Sequence, residues 1–305
     1  MEDRNRLQYF FIALKGMAMG AADVVPGVSG GTIAFISGIY EELISSINNI
    51  NLGLFKVLKN EGFKAAWKKL NGNFLLALFS GIAISVVSLA KLISWLLENQ
   101  AILLWAFFFG LVVASVYFVG KSIEKWSLSA VIMLLVGAGI AYYITTLPVS
   151  ENTESLPFLF LSGALAVCAM ILPGISGAFI LVLLGSYKTI LDAVHERDIT
   201  VVVTVAVGAV FGLLSFARLL KWMFKNYRNP TLALLTGFIL GSLNKIWPWK
   251  KVLETKTFGD KVVPVNEASV SPLTFDGDPQ LLYAVVLAAL GFSLIFILEK
   301  TASKK

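Results

Sequence analysis

Two short stretches hold the residues best suited to chemistry. "DVVPGVSGGT" (23–32) and "LPGISGAF" (172–179) both run proline, glycine, any residue, serine, glycine. Pro26 and Gly27 end one helix, and Ser29, Gly30, Gly31 and Thr32 open the next. Pro173, Gly174, Ser176 and Gly177 repeat the arrangement. The first turn of a helix has backbone N–H groups without intrahelical partners, and small side chains leave them accessible. Such a turn suits an anion such as a carboxylate or a phosphate, with no fixed cation needed. The competing account of the glycines is close helix packing.

Four charges fall inside otherwise apolar sequence, where an ionisable group is costly and commonly lines a pathway: Lys15, Asp23, Lys91 and Arg218. Lys91 and Arg218 occupy matching positions in "AKLISW" and "ARLLKW" and are candidate phosphate-recruiting residues at two mouths, against simple snorkelling to the interface. Lys15 is a candidate phosphate or Asp23 partner. Asp23 is the candidate site for a coupling proton or sodium ion, against a helix-end cap.

Other chemistries lack their residues. His195 is the single histidine, in the charged stretch "HERD", so zinc-hydrolase spacing and a Ser-His-Asp arrangement have no material. The single Cys168 rules out a disulfide framework within one chain. No catalytic residue, metal site or cofactor site is expected. The net charge of +6 comes mainly from lysines in short loops between apolar runs, a pattern of membrane orientation rather than nucleic-acid binding.

The elements that must position these residues are membrane helices. With 57% hydrophobic and 14% charged residues, the chain reads as an all-α polytopic membrane protein. The basic start and short apolar centre of residues 1–22 resemble a signal peptide, but Lys15 interrupts the apolar part and the segment is expected to be retained. The chain also contains itself twice. Pro26, Gly27, Ser29, Gly30, Gly38 and Tyr40 match Pro173, Gly174, Ser176, Gly177, Gly185 and Tyr187 at one offset, and Gly110 matches Gly237 at a second.

Two halves are therefore expected, 1–148 and 149–305. The first holds a motif hairpin (7–47), a basic amphipathic segment (48–72) and spans at 74–97, 101–119 and 128–147. The second holds a hairpin (157–194), spans at 201–220, 230–247 and 281–298, and an outer loop at 248–280. Three spans plus a hairpin that returns to its own side make each half cross an odd number of times, which inverts one half relative to the other. With both termini cytoplasmic, the lysines of 48–72, Lys121, Lys125, Lys221, Lys225 and Arg228 all face inside.

Each hairpin has two readings: two full spans with the Pro-Gly turn in water, or a re-entrant hairpin with its tip buried in protein. The second tip favours re-entry, because no charge occurs from Gly163 through Ser186. In 48–72, lysines alternate with Phe55, Phe63 and Trp67, a pattern for lying on anionic cytoplasmic lipid.

"GAADVVPGVSGGTIAFISGIYEELI" and its weaker echo "LPGISGAFILVLLGSYKTIL" resemble the polyprenyl-phosphate translocases, a family once known only as a membrane domain of unknown function. The resemblance covers essentially the whole chain. It implies a bacterial or archaeal cell-membrane transporter, not an enzyme, that returns undecaprenyl phosphate from the outer to the inner leaflet for reuse in envelope synthesis. The residues themselves leave a second reading open: a secondary transporter of a small soluble anion shares every feature except a lateral opening to lipid.

Overall fold

The computed structural model describes residues 4–24, 28–150, 155–258 and 261–302. The chain is mostly helical and runs α1 (Arg6–Val24), α2 (Gly30–Ile36), α3 (Tyr40–Asn48), α4 (Leu52–Leu70), α5 (Gly72–Asn99), α6 (Ala101–Lys121) and α7 (Leu128–Thr146). It continues through α8 (Leu156–Ile171), α9 (Gly177–Leu183), α10 (Tyr187–Glu196), α11 (Ile199–Asn226), α12 (Arg228–Ser242), strands β1 (Lys250–Phe258) and β2 (Lys261–Ser269), and α13 (Leu281–Ala302). Among the described residues α5, α6, α7 and α11 contain stretches long and apolar enough to cross a membrane. Large apolar side chains such as Phe79, Val87, Leu135 and Phe211 stay exposed on them, as hydrocarbon-facing residues do. The protein is a multi-pass membrane protein.

Helix α2 runs back along α1. Lys15 Nζ, midway along α1, donates to the Ser37 carbonyl just past α2 at 2.6 Å. Arg4, before α1, forms a two-pronged pair with Glu42 of α3 at 2.5 and 2.8 Å, so the chain returns to the level where it started. In the second half Ser162 of α8 meets Ser186, beyond α9, hydroxyl to hydroxyl at 2.8 Å. Each returning limb is short because a glycine with positive φ ends it, Gly38 at 73° and Gly185 at 70°. After Gly185 the axis turns by 104° into α10.

Helix pairing follows the small residues. Gly16 of α1 lies against the Leu78 carbonyl of α5, and Gly81 of α5 lies against the Ala13 carbonyl of α1. Gly163 and Gly208 make the equivalent approaches between α8 and α11, to Val205 and Phe160. A second family crosses between the halves: Gly110 of α6 meets Ala288 of α13, and Gly237 of α12 meets Leu134 of α7. Where lipid is as apolar as leucine, this close backbone approach supplies the packing that holds helices together. Phe74, Leu78, Leu159, Leu220, Leu235 and Ile239 are fully enclosed by these pairs.

Three features depart from the sequence reading. The expected outer loop 248–280 contains an antiparallel hairpin, β1 paired with β2, so the chain is not helical throughout. The span expected at 230–247 ends as a helix at Ser242, and the chain turns there so that Lys245 reaches back toward α9. The basic segment 48–72 forms α4, but Gly62 inside it is non-helical (φ 82°, ψ 178°), so α4 is two short helices joined at a corner.

Candidate functional site

The two P-G-x-S-G breaks touch. Thr32 Oγ1 accepts a hydrogen bond from the Gly174 amide at 2.8 Å, and Ser29 Oγ donates to the Leu172 carbonyl at 3.2 Å. Ser29 is 1% exposed and Thr32 0%, so both contacts lie in the protein interior. Gly31 is small of necessity, since a β-carbon there would sit 2.7 Å from the Ile171 carbonyl oxygen. Pro26 and Gly27 lie outside the described residues. Pro173 adjoins Gly174, which at φ 93° takes a backbone shape open to glycine.

The expectation of bare amides at the first tip is not met. Gly30 N–H donates to Asp23 Oδ1 at 2.6 Å, and Gly31 N–H to Ser29 Oγ at 3.1 Å. Thr32 N–H reaches the Ser29 carbonyl at 2.9 Å. The first tip carries its own anion, with Asp23 at the end of α1 capping the start of α2. At the second tip Met170 stands in the corresponding place, its side chain against Gly177. A thioether is neutral and a weak acceptor. Ser176 Oγ accepts from Phe179 N–H at 3.4 Å, and among the described residues no side chain caps Gly177. The two tips thus share a backbone plan and differ in charge.

The other charged candidates lie elsewhere. Lys15 neutralises the carbonyl end of α2 through Ser37 rather than facing the tip, because the α1–α2 hairpin brings Ser37 level with it. Lys91 and Arg218 are exposed on α5 and α11, outside the junction of the tips.

Two residues near the second tip escaped the sequence reading. Lys245 Nζ sits 4.9 Å above the ring of Phe179, in the first turn of α9. It pairs with Glu267 of β2 at 3.2 Å, which Lys250 also approaches at 3.5 Å. Lys250 donates to the Lys245 carbonyl and lies 4.8 Å from the centre of the Trp105 ring. Burial pushes the Lys250 ammonium down to about 8, with the charge of Lys245 adding to the effect and Glu267 opposing it. In sequence Lys250 looks like an ordinary loop charge and Lys245 falls inside the expected span 230–247; the available signal was the tryptophan pair Trp247 and Trp249 between them, an interfacial pattern.

Fold and site together define a polytopic helical membrane protein whose two backbone breaks meet inside the helical bundle. Broken helices that meet inside a bundle are a feature of membrane transporters. A family model described as undecaprenyl phosphate translocase-like matches residues 19–262. A polyprenyl-phosphate transporter of Vibrio cholerae is 46% identical over 303 residues, covering 98% of each chain. One of Staphylococcus aureus is 33% identical over 253 residues, covering 77% of this chain and 85% of its own. The chain belongs to the undecaprenyl phosphate translocase-like family. No solved structure matches it.

Proposed function

We propose that this protein carries a polyprenyl monophosphate, in bacteria undecaprenyl phosphate, from the outer to the inner leaflet of the cell membrane by alternating access. The observation that carries the reading is the meeting of the two breaks, with Gly174 N–H on Thr32 Oγ1 at 2.8 Å. The phosphate docks between the tips, around Ser29, Gly30, Ser176 and Gly177, while the prenyl tail stays in lipid. Lys91 and Arg218, exposed on α5 and α11, recruit the head at the two mouths. The names of the relatives support the cargo.

In this reading the chain is two inverted repeats, 1–148 and 149–305, each a re-entrant hairpin with three spans. The matched glycine contacts support it, since Gly16–Leu78 and Gly163–Val205 recur within halves, and Gly110–Ala288 and Gly237–Leu134 recur across them. Inverted repeats have a useful consequence. Where matched elements pack differently, the difference reports which mouth is closed. Helix α3 crosses to the other half, where Asn48 Nδ2 donates to the Ala217 carbonyl of α11 at 2.7 Å and Glu41 pairs with Arg228 of α12 at 2.9 Å. Its counterpart α10 packs on α11 of its own half and makes no comparable contact with α5 among the described residues. In this reading the contacts of α3 brace the inner mouth.

Asp23 supplies the coupling. A proton or sodium ion on its carboxylate loosens the cap on Gly30 and frees the first tip for phosphate. Helix α4, with Leu52, Phe55 and Phe63 exposed among its lysines, rests on anionic inner-leaflet lipid. Reconstitution with fluorescent undecaprenyl phosphate tests the function: the wild type speeds leaflet exchange and Ser29→Leu and Ser176→Leu abolish it. Uptake of soluble phosphate or an organic acid without lipid exchange would move the protein to the soluble-anion class.

A further inference from the structure

Among the described residues, the ion-paired cluster under the β-hairpin holds two ammonium groups and one carboxylate. Lys245 and Lys250 have side chains only 18% and 9% exposed, and both pair with Glu267. Enclosing an ammonium without a full counter-charge is costly. Trp105 and a backbone carbonyl soften that cost without supplying a negative charge.

Room for the missing charge lies next to Lys250. A cavity of about 490 Å³ opens there, lined by Lys250, Lys251, Thr274, Asp276, Val270 and Phe275. On the opposite side, toward Lys245 and Asn244, the space is about 20 Å³, roughly that of one water, so an anion larger than water has to come from the larger side. The wall of that larger cavity is mixed, with Lys250, Lys251, Thr274 and Asp276 beside the apolar side chains of Val270 and Phe275. Trp247 and Trp249 meet edge to face with ring centres 5.4 Å apart, and Trp247 donates to the carbonyl of Val270, which lines the cavity. Asp276 repels anions from one edge, which favours a ligand held at the Lys250 end.

We propose that this cavity is a binding site for a phosphate monoester at the membrane surface, with Lys250 pairing the phosphate and Lys245 adding positive charge behind it. That the phosphate belongs to a lipid rests on the proposed function; the surplus cation does not.

The test uses the full-length protein in nanodiscs of zwitterionic lipid, with binding read from tryptophan fluorescence and probed with farnesyl phosphate, farnesol and inorganic phosphate. Farnesyl phosphate is expected to give a saturable change that Lys250→Gln weakens at least tenfold and Lys250→Arg restores, while farnesol gives none. Saturation by farnesyl phosphate well below inorganic phosphate assigns the site to lipid, and the reverse order assigns it to free phosphate; both support a phosphate site. Equal affinity in Lys250→Gln and wild type, or equal binding of farnesol, overturns it.

Melting temperature is the second readout. A lysine that only braces the hairpin lowers it when replaced, whereas a surplus cation kept for a ligand leaves it unchanged or higher in Lys250→Met. A drop in melting temperature together with unchanged binding in Lys245→Gln counts against the proposal. The two readings fail separately. If Lys250→Gln binds normally while Ser29→Leu loses lipid exchange, the cavity falls alone. If Lys250→Gln loses binding while Ser29→Leu exchanges normally, the tips fall alone.

Discussion

Gly174 donates its amide hydrogen to Thr32 Oγ1 at 2.8 Å across 142 residues of sequence, joining the two breaks into one site. Neither break explains the other locally. Each interrupts a helix where backbone groups would be left unpaired in lipid, and the junction gives some of those groups partners inside the protein.

Removing the acceptor tests that junction. Thr32→Val leaves a buried N–H without a partner, which costs about 1–3 kcal/mol. The melting temperature is expected to fall and lipid exchange to drop, with Thr32→Ser recovering both.

Space between the tips is equally tight. Gly31→Ala puts a carbon 2.7 Å from the Ile171 carbonyl oxygen, which has to move. Exchange is expected to fall about tenfold or more, corresponding to about 1.4 kcal/mol or more on the barrier. Gly139→Ala, with no atom within 4 Å of the added carbon, is expected to leave exchange unchanged.

Asp23 separates capping from coupling. Asp23→Asn keeps an oxygen to accept from Gly30 N–H but removes the charge. Exchange is expected to continue down a lipid gradient and to lose its response to imposed proton or sodium gradients. A response equal to wild type would remove Asp23 as the coupling residue.

Lys250 makes anion binding depend on pH. The groups around it are Lys245, Glu267, Lys251, Asp276 and the Trp105 ring. Its ammonium titrates at about 8 instead of the ordinary 10.5, so farnesyl phosphate affinity is expected to fall as pH rises through about 8. Stability moves the other way. Between those two values the unfolded chain binds the proton that the native chain has released, so the ligand-free protein gains stability as pH rises through the window. Binding titrations and melting curves at pH 7 and 9 check the two signs, and Lys250→Arg is expected to flatten both.

Much of this arrangement was legible in sequence, because helix-breaking residues inside apolar runs have few other uses. The P-G-x-S-G repeats named Ser29, Thr32 and Gly174, which prove to be the residues that meet. Charges read less well. Lys15 reads in sequence as a partner for phosphate or for Asp23; its contact with the Ser37 carbonyl at the end of α2 is visible only in the fold, which brings Ser37 level with it. Lys250 reads as a loop charge and Lys245 falls inside the expected span 230–247; the helix instead ends at Ser242, just after Gly241, and that early end brings Lys245 to Phe179. The β-hairpin did leave a trace: "KKVLETKTF" and "KVVPVNEAS" flank Gly-Asp with β-branched residues, a hairpin pattern inside a segment read only as loop.

The central claim is that phosphate crosses where the two breaks meet. Its most direct test measures leaflet exchange of fluorescent undecaprenyl phosphate in proteoliposomes holding wild type, Ser29→Leu or Ser176→Leu, each checked for folding by its melting curve. Rapid exchange is expected in wild type and background exchange in both folded variants. Wild-type rates in both would contradict it.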